Sequence, residues 1–96
     1  MTNAELRALL LDCLTLWDIA GRVVVGDVGL TIETAEGAFT LEPADPDLRP
    51  LRWFYQTPER RDAGLPPRAA PSIVAALSAL RNAMGAAKGN RVRVGR

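Results

Sequence analysis

Apolar side chains along this chain change their period twice, and each change predicts a different element. Leu6, Leu9, Leu10, Cys13, Leu14 and Trp17 recur at steps of three and four, the spacing of one stripe on an amphipathic helix. Thr2 and Glu5 stand three apart ahead of the stripe, the arrangement of a capping box in which each side chain satisfies a free N–H of the other. Leu11 and Leu16 fall off the stripe, so a second side of this helix calls for cover, from the fold or from a partner. Gly21 is the expected stop, because glycine takes a left-handed conformation without steric cost.

From Arg22 the period becomes two. Val23, Val24 and Val25 form a β-branched run, Gly26-Asp27-Val28-Gly29 supplies turn chemistry, and residues 30–42 read as a hairpin. Its alternation sends Leu30, Ile32, Phe39 and Leu41 to the core and Thr31, Glu33, Thr40 and Glu42 to water. Pro43, Pro46 and Pro50 end regular structure, with Asp45 and Asp47 solvating the turn. Leu51 to Tyr55 predicts a further strand in which Trp53 and Tyr55 share one face and Arg52 and Phe54 the other. Thr57 and Pro58 fit the cap and first position of a short helical turn, after which Leu65-Pro66-Pro67-Arg68 must be extended.

A second helical stripe starts near Pro71 or Ser72 and carries Ile73, Leu77, Leu80 and Met84, with Gly85 as its expected end. Residues 86–96 form either a basic tail or an edge strand, since Arg91-Val92-Arg93-Val94 alternates. The order predicts one α+β domain over residues 1–96: an N-terminal helix, a three- to four-stranded antiparallel sheet, a proline-rich crossover, and a C-terminal helix packed on the same sheet face.

Composition narrows the chemistry. No histidine is present, which removes the usual proton carrier near neutral pH, Ser-His and Cys-His nucleophile pairs, and histidine-containing zinc sites. The single Cys13 forms no internal disulfide and sits in the apolar stripe as a small hydrophobe. A metal would need an all-oxygen site, and the pairs Asp45 with Asp47 or Glu33 with Glu42 read better as surface solvation. We therefore expect neither an enzyme nor a cofactor or metal. Gly26 and Gly29 lack the third glycine and following helix of a dinucleotide fingerprint. No apolar run is long enough to cross a membrane, and the opening residues lack the basic region of a signal peptide. A cytoplasmic location follows as an expectation, and the Ala, Arg, Gly and Pro usage suggests a bacterial source.

The net charge of +1 conceals two poles. Residues 1–48 hold nine acids against two arginines, whereas residues 49–96 hold nine arginines and Lys88 against two acids. Within the basic half, Trp53, Phe54 and Tyr55 lie among Arg49, Arg52, Arg60, Arg61 and Arg68, joining the two residue types most enriched where proteins meet partners. Ordinary salt bridges to Asp45, Asp47, Glu59 and Asp62 are the plain alternative for these arginines. The expected partner-binding residues are Arg52, Phe54, Arg60, Arg61 and Arg68, serving a small non-enzymatic module (an adaptor, chaperone-like or assembly subunit) that docks a protein or a second copy of itself. Nucleic-acid binding through the same segment and the basic tail is the alternative, weakened by a pI of about 8.0 and by the acidic first half.

Overall fold

The computed structural model describes residues 2–45, 47 and 52–94, with side chains as far as Gly85. Helix α1 (Asn3–Leu16) opens with the capping box: the Glu5 N–H donates to the Thr2 hydroxyl and the Thr2 N–H donates to Glu5 Oε1, both at 3.1 Å. Thr2 holds the Glu5 carboxyl below its usual pKa, its backbone N–H contributing most and its hydroxyl next. The helix ends earlier than Gly21. Trp17 caps it, and Asp18 turns the chain at φ 56, a left-handed conformation that aspartate tolerates better than most residues. Gly21 instead opens the first strand.

Five antiparallel strands follow in a simple meander: β1 (Gly21–Val25), β2 (Leu30–Thr34), β3 (Gly37–Pro43), β4 (Trp53–Gln56) and β5 (Arg68–Ala70), hydrogen-bonded in that order. Helix α2 (Pro58–Asp62) interrupts the path from β4 to β5, and α3 (Ile73–Val94) closes the chain. The predicted hairpin is present, with Leu30 opposite Leu41 and Ile32 opposite Phe39. The sheet has one strand more than the three or four expected, because β5 is three residues of Arg and Ala recruited by β4 rather than by its own propensity. Leu51, Pro46 and Pro50 lie outside the described residues.

One cluster unites Leu6, Leu10 and Leu14 of α1, Ala76, Leu80 and Met84 of α3, and Val23, Leu30, Ile32, Phe39, Leu41 and Ala70 of the sheet. These sheet residues are cross-strand neighbours on one face, so both helices pack there, α1 over β1 and α3 over β4 and β5. Each strand therefore turns its alternate side chains, among them Thr31, Glu33, Thr40, Glu42 and Phe54, to a face that neither helix covers.

Helix α3 starts as expected, the Ala75 N–H donating to Ser72 Oγ at 3.1 Å. It does not stop at Gly85. A glycine inside a helix costs only about 1 kcal/mol against alanine, and the alanine-rich flanks Ala83, Ala86 and Ala87 sustain the turn. The edge-strand reading of 91–94 is thereby replaced by helix, while the side chains of Lys88, Arg91 and Arg93, and all of Arg96, lie outside the described residues. Among the described residues no helix is long and apolar enough to cross a membrane.

Candidate functional site

Strand β4 divides the predicted patch. Trp53 and Tyr55 pack against the core cluster, as alternation predicts, and Phe54 is half-buried on the opposite face, between Glu42 of β3 and Ala69 of β5. Arg52 is exposed just ahead of β4, its backbone tied on both sides: its carbonyl accepts from the Ala44 N–H at 2.8 Å and its N–H donates to the Ala70 carbonyl at 3.1 Å.

Beyond β4 the chain builds a small, rigid excursion. Thr57 caps α2 by accepting from the Arg60 N–H at 3.2 Å, and Pro58 takes the first helical turn, where its missing N–H costs nothing. Pro58 seats against Gly37 at the start of β3: a Cβ there would meet the proline ring at 2.8 Å, and Gly37 holds φ at +126, so this position requires glycine. Helix α2 buries no residue of its own. What fixes the excursion is Gln56, the buried polar side chain at the end of β4, whose Nε2 donates to the Leu65 carbonyl at 2.8 Å while its Oε1 accepts from the Thr57 N–H at 3.3 Å.

Between α2, the loop after it, β5 and α3 lies an open cleft of about 520 Å³, to which Tyr55, Arg60, Leu65, Arg68, Ala79 and Asn82 all contribute. Arg68 stands directly opposite Tyr55 across the β4–β5 ladder, which puts both on the helix-covered side. Arg60 is held in place: its Nη2 donates to the Pro66 carbonyl at 3.0 Å, and its Nε is buried with no hydrogen-bond partner. A guanidinium fixed in this way has already lost much of the side-chain entropy that binding would otherwise cost. Glu59 is the one acid on the rim, so two arginines leave the cleft with a cationic balance over an apolar floor of Leu65, Ala79 and Ala83.

Arg60 and Arg68 thus meet in one cleft, Arg61 is exposed on α2, Arg52 is exposed ahead of β4, and Phe54 lies on the sheet face opposite Arg68. Among the described residues no carboxylate pairs with Arg52, Arg61 or Arg68, whereas Arg22 binds Glu33 at 2.6 Å. No three His, Cys, Asp or Glu side chains group in metal-ligating fashion among the described residues. Sequence reasoning missed Asn82 and the wall of α3. The available signal was the run of small side chains Ala75, Ala79 and Ala83, which let the helix approach closely enough to form that wall. No family model, no curated protein and no solved structure matches this chain.

Proposed function

We propose that the chain is a non-enzymatic interaction module, an adaptor, chaperone-like or assembly subunit of a bacterial cytoplasm, that docks a protein partner by an acidic segment. The segment lies in the cleft, its carboxylates on Arg60 and Arg68 and an apolar side chain against Leu65 and Ala79. Arg61, exposed on α2, exposed Arg52 ahead of β4, and Phe54 on the other sheet face offer further contacts outside the cleft. The observation that carries this reading is the convergence of Arg60 and Arg68 over an apolar floor, with Arg60 already oriented by Pro66. Aligned guanidinium donors match carboxylates, and the apolar floor adds affinity that charge alone does not supply.

Nucleic acid fits less well. Base stacking needs aromatic faces exposed among the arginines, but Tyr55, which lines the cleft, is half-buried against the core cluster, and Phe54 lies on the sheet face opposite Arg68. Glu59 on the rim would also repel a phosphate backbone.

A peptide-display selection on the purified chain tests the reading. Enriched sequences should pair Asp or Glu with an apolar residue, and Arg60→Ala with Arg68→Ala should weaken the selected peptides by about tenfold or more while leaving the melting curve in place. Enrichment free of acids, or affinity indifferent to both substitutions, would overturn it. Tight binding of a single-stranded oligonucleotide with a steep salt slope would transfer the site to nucleic acid.

A further inference from the structure

The two outer edges of the sheet differ in how they are protected. At β5 the edge is three residues long, with Pro66 and Pro67 before it and Pro71 after it, so little backbone is left to pair and the flanks cannot donate. At β1 the edge is five residues long, contains no proline, and has Val24 41% and Val25 45% exposed. Its hydrogen-bonding phase follows from the turn. The Gly26 N–H donates to the Gly29 carbonyl at 2.8 Å, so Gly26, Val24 and Arg22 bond inward to β2, and Gly21, Val23 and Val25 turn their N–H and C=O groups outward.

We propose that this edge pairs antiparallel with β1 of a second copy about a two-fold axis through Val23, making one continuous sheet of ten strands. Three features of β1 select its own copy as the occupant. First, the outward groups fall at the ends and centre of the strand, so a two-fold at Val23 sets Gly21 opposite Val25 of the second copy and completes three hydrogen-bonded pairs with no residue out of phase. Second, the side chains match: exposed Val25 meets Gly21, which has no side chain to obstruct it, and exposed Val24 meets the aliphatic stem of Arg22. Third, the single charge on the strand is already neutralised, Arg22 being paired with Glu33, so no uncompensated ion enters the seam. Pairing of β1 onto β5 of another copy would run on into open-ended filaments, and the prolines around β5 oppose that route. This interface is independent of the arginine cleft.

Sedimentation of the full chain from about 1 µM to about 1 mM should show a monomer–dimer equilibrium that survives about 0.5 M salt, because hydrogen-bonded apolar seams are screened far less than exposed charge pairs. Val25→Pro deletes an outward N–H together with the valine side chain at the seam, and Val24→Lys places a cation opposite Arg22 of the second copy. Each should weaken dimerisation by about tenfold or more. Val24→Lys lies on the solvent face, so it reads the seam even if the proline variant folds poorly. Amides of Val23 and Val25 should gain exchange protection as concentration rises. Arg60→Ala and Arg68→Ala should leave the equilibrium unchanged. A monomer at every concentration, a dimer indifferent to Val24→Lys, or a dimer whose Val23 and Val25 amides stay unprotected would each overturn the proposal.

Discussion

Trp53 and Phe54 are neighbours in sequence and similar in chemistry, yet the first packs against the core beneath α3 and the second lies on the face that neither helix covers. One residue of strand period sends the two side chains to opposite faces of the sheet. The contrast extends along the sheet: Leu41, beside Tyr55 on the covered face, is fully buried, while its neighbour Thr40 is not. Trp53 and Phe54 are both half-buried, so what separates them is the face each occupies rather than the area each exposes.

The contrast breaks if covered and uncovered residues respond alike to truncation. Leu41→Ala should show the largest effect, about 2 to 5 kcal/mol by chemical denaturation, because it leaves a cavity among Leu30, Tyr55 and the helices. That is a large share of the stability a domain of this size commands. Trp53→Ala follows at about 2 to 3 kcal/mol, below the range for a wholly buried tryptophan since Trp53 is only partly buried. Phe54→Ala should cost less than about 1 kcal/mol. Equal losses from Trp53→Ala and Phe54→Ala would show that the open face is covered in solution.

The smallest effect concerns water access to the covered side. Burial raises the pKa of the Cys13 thiol, and Asp12 adds to the shift, so thiolate is scarce at neutral pH. The folded state therefore holds the proton more tightly than the unfolded chain. This contribution to stability is complete below the thiol's ordinary pKa and fades as pH rises through the raised one. Iodoacetamide should label native Cys13 slowly at pH 7 and quickly in denaturant. Fast native labelling would mean that α1 does not seal its side of the core.

Much of this architecture is legible from local chemistry. The Thr2 and Glu5 box, the α1 stripe, the hairpin with its four inward residues, the Thr57 cap and the opposed faces of β4 all follow from side-chain spacing, and all are present. Where the reading fails, a competing local term decides. Asp18 supplies the left-handed turn ahead of Gly21, and alanine flanks carry α3 past Gly85. Strand β5 has no signal of its own because Arg68-Ala69-Ala70 is extended only through its pairing with β4. The cleft was half visible. Arg60 and Arg68 are conspicuous in the sequence, but Asn82 joins them only through the packing of α3 on β4 and β5, a long-range arrangement that no window of sequence reports.

The Gln56 clasp gives the cleft a mechanical independence. Because one side chain ties the excursion's first residue, Thr57, to its return at Leu65, the loop and α2 close upon themselves. Local opening energies scale with the apolar contact a segment must give up, and no side chain of α2 is fully buried. The pose of Arg60 therefore rests on polar ties and on the seat of Pro58 against Gly37 rather than on a buried side chain of α2, so loss of the Gln56 side chain would loosen the wall of the cleft while the ladder beneath it stays paired.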